Sequence, residues 1–267
     1  MTRDETWLLD EKYEGDASAP GFAADCARLA KGEPLAYVIG SQPFLGLTIH
    51  LDSHPLIPRV ETEWWVEQLL EKASDTISET LRSATTRAGG NSVLRNRVTR
   101  EPLGFLDLCA GSGAIGCALL ARLSEAHVSF GEIDPSHEAT ILKNIRENGL
   151  DESRAAVRIG DLFAPFAGLR FDVIAANPPY IPSGRALDAS VAEHEPGLAL
   201  FAEEDGLALI RRLAAKLADH LAPGGEAWVE VDSEHAQAAA DLFKARGLSV
   251  GIHTDQYGRP RVLLITS

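Results

Sequence analysis

The chain has 267 residues, 45% of them hydrophobic, enough for one large α/β core with a small appendage. Its 25 Lys and Arg face 39 Asp and Glu, a formal charge of −14, which counts against a nucleic-acid substrate and leans towards a protein or a small molecule. Three scattered cysteines (Cys26, Cys109, Cys117) form no CxxC pair, which argues against a disulfide framework or a zinc site, and no run of about 18 apolar residues offers a membrane span.

The opening Met1-Thr2-Arg3-Asp4-Glu5 is acidic and no apolar signal-like stretch follows, so a cytoplasmic location is expected. In the first 32 residues, helical spacing of Phe22, Cys26 and Leu29 predicts one amphipathic helix, with Trp7-Leu8-Leu9 as a short anchor. From Leu35 to Ile57, apolar residues broken by Gly40, Pro43 and Gly46 predict a β-hairpin. Glu61 to Lys72 reads as a helix that Thr62 can cap. Residues 1–58 are thus expected to be a separate helical and hairpin region that docks the substrate, and 59–267 the main domain. Ser74 to Arg100 carries five arginines against two acids and few aliphatic residues, the composition of a mobile surface insertion.

Beyond it the pattern becomes regular. Strands are expected at 105–109, 128–133, 157–159, 171–175, 226–231, 248–253 and 261–266, and helices at 114–123, 136–148, 207–220 and 236–246. That alternation predicts a doubly wound, mostly parallel α/β sheet covered on both faces. Ligands in such sheets bind beyond the carboxyl ends of the strands, where the strand order reverses.

Four motifs fall at those ends. Asp107-Leu108-Cys109-Ala110-Gly111-Ser112-Gly113 follows a strand and opens a helix, so its glycines allow close approach of backbone to ligand and its helix start offers free N–H groups. Gly111, Gly113 and Gly116 formally match GxGxxG, which alone leaves a nicotinamide cofactor and S-adenosylmethionine equally open. Glu132 lies about twenty residues further on, at a strand end, where a carboxylate accepts from both ribose hydroxyls; Asp134, before Pro135, reads as the cap of the next helix. In Gly160-Asp161-Leu162-Phe163, Asp161 can accept from an adenine amino group while Leu162 flanks the ring. Asn177-Pro178-Pro179-Tyr180 decides the reaction. Its prolines fix an extended turn, so the Asn177 side-chain oxygen and the Pro178 carbonyl can hold both protons of a planar NH2 group, with Tyr180 packing on its plane.

At these residues the chain resembles amino-methyltransferases with an (Asp/Asn/Ser)-Pro-Pro-(Tyr/Phe) motif, and more narrowly the release-factor glutamine N5-methyltransferases of the HemK/PrmC family. The narrower likeness rests on Gly32-Glu33-Pro34-Leu35-Ala36-Tyr37-Val38-Ile39-Gly40, Leu56-Ile57-Pro58-Arg59-Val60-Glu61-Thr62-Glu63, His194-Glu195-Pro196, Glu204-Asp205-Gly206-Leu207 and Asp255-Gln256-Tyr257-Gly258-Arg259-Pro260-Arg261. It implies a class I S-adenosylmethionine methyltransferase of Rossmann-like fold that methylates the glutamine amide in the Gly-Gly-Gln loop of class 1 peptide release factors. By position, the loop Cys109–Gly113 would hold S-adenosyl-L-methionine, with Gly111 and Gly113 at its methionine end, Glu132 at its ribose and Leu162 at its adenine. Asn177, Pro178, Pro179 and Tyr180 would bind the glutamine amide.

The chain departs from the family at Val60, where Pro is usual, and at Cys109-Ala110, where Gly-Thr is usual. Its N-terminal helical region is short. A monomer acting on a protein partner, without metal, is expected. The competing readings are a nucleic-acid methyltransferase acting on adenine N6 or guanine N2, which needs a basic approach surface, and a non-catalytic binding protein built on the same fold.

Overall fold

The computed structural model describes residues 1–86, 103–203 and 205–267. The first helix, α1 (Arg3–Tyr13), is longer than the anchor expected from Trp7-Leu8-Leu9. A capping box sets its start: the Thr2 hydroxyl accepts from the Glu5 N–H at 3.2 Å, and the Glu5 carboxylate accepts from the Thr2 N–H at 2.6 Å. The second helix, α2 (Phe22–Ala30), matches expectation. Its buried Asp25 accepts from Lys12 and Tyr13 of α1, both at 2.7 Å, and from Arg28 at 2.9 Å. One carboxylate therefore ties the two helices together.

The expected hairpin is smaller than 35–57. Leu35–Ile39 forms a short helix, α3, closed by Gly40 at φ +97°. The hairpin itself is β1 (Ser41–Phe44) and β2 (Leu47–His50), joined by Leu45 and Gly46, both at positive φ as a two-residue hairpin turn demands. Leu45 adopts it with its N–H bonded to the Glu63 carboxylate at 2.6 Å.

Helix α4 runs from Val60 to Thr86, well past Lys72, so residues 74–86 of the expected insertion are helical; the remainder, 87–100, lies outside the described residues. Ser and Thr have modest but not prohibitive helix propensity, so a weakly apolar segment can still extend a helix already nucleated.

The sheet follows: β3 (Leu103–Leu108), α5 (Ala114–Arg122), β4 (Ala126–Glu132), α6 (Glu138–Glu147), β5 (Ala155–Ile159) and β6 (Phe171–Ala176). Then come α7 (Ala189–His194), α8 (Gly197–Leu200), α9 (Ala208–His220), β7 (Leu221–Glu230), α10 (Ala236–Lys244), β8 (Ser249–Thr254) and β9 (Pro260–Thr266). The order is β5-β4-β3-β6-β7-β9-β8, parallel except for β9, which runs antiparallel to both neighbours. The direction of strand addition reverses between β3 and β6, and the loops after these two strands flank that crevice.

Each face of the sheet carries a core. One packs Phe166, Ile210, Leu213, Leu217 and Phe243. The other joins Leu119, Phe130 and Ile141 to Trp65 of α4 and to Phe44, Ile49 and Leu51 of the hairpin region. The hairpin thus shares its core with the sheet. Two asparagines one turn apart, Asn144 on α6 and Asn148 at its C-terminal cap, reinforce the join. Asn148 bonds both the N–H and the carbonyl of Thr48, at 3.0 and 2.9 Å, and Asn144 does the same for His50, at 2.7 and 3.0 Å. Among the described residues no helix is long and apolar enough to cross a membrane.

Candidate active site

The loop after β3 takes its shape from its own backbone. Gly111 and Gly113 lie at φ +54° and +79°, and Cys109 is held at φ +63°, a region that costs a side-chain-bearing residue about 1–2 kcal/mol. The Ala110 N–H reaches back to the Gly131 carbonyl at 3.0 Å, and the Gly113 N–H bonds the Ala110 carbonyl at 2.7 Å. Gly116, the third glycine of the formal GxGxxG match, lies inside α5, where a Cβ would fall 2.2 Å from the Phe130 ring. It serves helix–strand packing.

Glu132 ends β4 nearly buried, its carboxylate gripped by three backbone donors: Gly111 at 2.7 Å on one oxygen, Ile133 and Asp134 at 2.9 Å each on the other. An ionised carboxylate has about four acceptor positions, so one remains for a ligand hydroxyl. Asp134 caps the turn Pro135–His137 by accepting from the Ser136 N–H at 2.8 Å.

Cys109, Gly111, Glu132, Asp161, Leu162, Asn177 and Pro179 line one pocket, together with Leu56, His137, Pro196, Leu198 and Arg212. Seven expected site residues therefore converge. Ala110, Ser112, Gly113 and Pro178 are buried and do not line it. They shape its wall because the tight turn points them inward: the Ser112 carbonyl, for instance, accepts from Asn144 at 2.9 Å. Asp161 is ion-paired with Arg212, so an adenine amino group would share it with a guanidinium. Leu162, at φ +47°, joins Cys109 as a side-chain-bearing pocket residue held in the left-handed region.

Asn177 emerges from β6 at the crevice. Its side-chain NH2 donates to the Thr62 hydroxyl at 3.2 Å, and that hydroxyl donates to Glu230 at 2.7 Å. Tyr180 departs from expectation: its ring does not line the pocket, because its hydroxyl donates to the other Glu230 oxygen at 3.1 Å. Burial beside Glu230 pushes the Tyr180 phenol well up, which keeps it a neutral donor. Thr62 is likewise no helix cap; it lies in the first turn of α4, with its hydroxyl turned to Glu230.

The family motifs of the N-terminal part close the pocket's far wall. Buried Glu195 accepts from the Ile57 N–H at 3.1 Å and from the Arg59 guanidinium, which joins the 56–60 segment to the His194-Glu195-Pro196 turn. Asp255 gathers the N–H groups of Tyr257 and Arg259 and the side chains of Arg259 and Arg261, and Arg259 reaches Glu61 at 3.0 Å. Thr62, Glu230, Arg212 and Glu195 are the residues whose parts sequence motifs do not disclose; Thr62 and Glu195 lay inside quoted motifs, but Glu230 carried no local signal.

A model of the methyltransferase small domain matches residues 83–194. The chain is 34% identical to the release factor glutamine methyltransferase of Moorella thermoacetica over 99% of its own length and 86% of the relative's. It is also 34% identical to the Geobacter sulfurreducens protein of the same name, over 83% of this chain and 68% of that one. Among solved structures, the hMettl16 catalytic domain in complex with a MAT2A 3′UTR hairpin superposes with a TM-score of 0.55 at 16% identity, covering 83% of this chain and 76% of that one, a likeness of fold alone.

Proposed function

Since the chain belongs to the release factor glutamine methyltransferase family, we propose that it methylates the side-chain amide nitrogen of the Gly-Gly-Gln glutamine in class 1 peptide release factors. S-adenosyl-L-methionine is the methyl donor, and it supplies an electrophilic methyl group on a sulfonium centre. The residues present suit it. Glu132 would take a ribose hydroxyl on its one open acceptor position, Leu162 and Asp161 the adenine, and the Cys109–Gly113 loop the methionine end. Glu132, Asp134 and Asp161 at the pocket also favour a ligand that carries positive charge.

The observation that carries this reading is the placement of Asn177 on the pocket wall, with its NH2 engaged by Thr62. Its side-chain oxygen is left as an acceptor for an amide N–H. An amide nitrogen is a poor nucleophile, and holding its protons on oxygen acceptors raises its electron density and orients it. We also assign residues 1–58 to docking of the protein substrate. Exposed Ile133 and Leu198 at the pocket mouth support a protein rather than a polyanion there.

Replacing Asn177 separates binding from turnover. Asn177→Ala is expected to lower turnover by about 100-fold or more while the cofactor dissociation constant, measured by calorimetry, stays within about threefold. Parallel loss of both, or retained turnover, would contradict the role.

A further inference from the structure

We propose that Glu230 and Thr62 are positioning residues that fix which way the Asn177 amide faces. The inference rests on the reading of Asn177 as the residue that accepts from the substrate amide.

Glu230 ends β7 and is 1% exposed, yet it receives three hydrogen bonds. The Thr62 hydroxyl and the Trp65 indole N–H reach one oxygen at 2.7 and 2.8 Å, and the Tyr180 hydroxyl reaches the other at 3.1 Å. An indole nitrogen can only donate and an ionised carboxylate can only accept. The polarity of the network follows from those two facts. Thr62 has one hydroxyl proton, and it lies on the bond to Glu230. Only lone pairs remain on the Thr62 oxygen, so at 3.2 Å its partner on Asn177 has to be the NH2 group. The Asn177 carbonyl oxygen is then left facing the pocket.

A flipped amide would set oxygen against oxygen at Thr62. It would also present N–H groups to an incoming amide that itself offers N–H groups. Burial is the largest influence on Glu230 and holds its pKa above the usual carboxylate range, against the pull of its three donors and the Arg261 guanidinium. The oxygen that accepts from the Trp65 indole also takes the Thr62 proton, so a proton on the carboxyl belongs on the other oxygen, beside Tyr180, and leaves the Thr62 bond as it is. Neither Thr62 nor Glu230 lines the pocket, so both act through Asn177. The three residues come from α4, the loop after β6 and the end of β7, and no two are close in sequence.

Thr62→Val keeps the side chain's shape and removes the hydroxyl; Thr62→Ser keeps the hydroxyl. With a release factor as substrate, Thr62→Val is expected to lower kcat by about 30- to 100-fold, with KM and cofactor affinity changed less than about threefold. Thr62→Ser is expected to stay within about threefold of the parent. Glu230→Gln, which puts a donor where only acceptors stood, should lower kcat at least about tenfold; if it does not fold, the Thr62 pair decides. Unchanged kcat in Thr62→Val, or equal losses in both Thr62 variants, overturns the inference.

Hydrogen exchange of the Asn177 side-chain amide, followed by NMR in the free protein, tests the same point without substrate. Exchange should be slow in the parent and in Thr62→Ser, and fast in Thr62→Val. Equal exchange in all three overturns the inference. If the parent methylates no release factor, the substrate assignment fails and the exchange result alone decides the orientation.

Discussion

Asp107 lies wholly buried under the glycine loop, with one oxygen accepting from the Gly116 N–H at 2.8 Å and the other without a partner among the described residues. Burial pushes its carboxyl pKa up to about 8. A carboxyl whose pKa is higher in the fold than in the unfolded chain stabilises the fold when protonated. That contribution is complete below about pH 4 and is lost as the pH rises through about 8. Asp107→Asn, neutral at every pH, should therefore gain stability relative to the parent as pH rises from about 4, with the gain levelling off above about pH 8. Urea midpoints taken from pH 5 to pH 9 check this, and parallel profiles would contradict it. At this scale the sequence discloses residues whose task is local. Glu132 and Asn177 end strands and lead into short loops, so their place in the crevice follows from the strand pattern. Glu230 looks like any acid at a strand end. Its meaning arises from Thr62 and Trp65, 168 and 165 residues away, and from Tyr180 in the loop after the neighbouring strand.

Gly116 shows how tightly α5 is fitted to β4. A Cβ there would stand 2.2 Å from one Phe130 ring carbon and 2.6 Å from another, and Phe130 is fully buried. Replacing glycine by alanine within a helix ordinarily gains about 1 kcal/mol, while overpacking a closed core costs about 1–3 kcal/mol or more. The clash should win, so Gly116→Ala is expected to lower the urea midpoint with an unchanged slope; a raised midpoint would contradict this packing. Most helices and strands of the sheet were legible to within a few residues, because α6, α9 and α10 have a strong period and α5 is an apolar run directly after the glycine turn. The misread elements share a weak period. The α1 helix is only mildly amphipathic and is set by its Thr2–Glu5 capping box, and α3 occupies an apolar run too short to distinguish helix from strand by period. The extension of α4 to Thr86 runs through a composition that reads as loop.

Across the whole molecule, alternation of strands and helices discloses a parallel sheet but not its order. The antiparallel insertion of β9 between β7 and β8 depends on long-range pairing with no local mark in the sequence. That order matters, since it puts the crevice between β3 and β6 and brings the Asn177 turn beside the glycine loop. The N-terminal segment completes the site from outside the sheet: Leu56 lines the pocket, Arg59 and Ile57 engage Glu195, and Thr62 orients Asn177. The chain's charge of −14 and the apolar residues at the pocket mouth both favour a protein over a nucleic-acid substrate. The most direct measurement is methyl transfer from labelled S-adenosyl-L-methionine to a class 1 release factor, run beside its Gly-Gly-Gln loop Gln→Ala variant and duplex DNA. Label on the unaltered release factor alone is the expected result. Label on the variant or on DNA, or none on the release factor despite bound cofactor, would contradict glutamine as the acceptor.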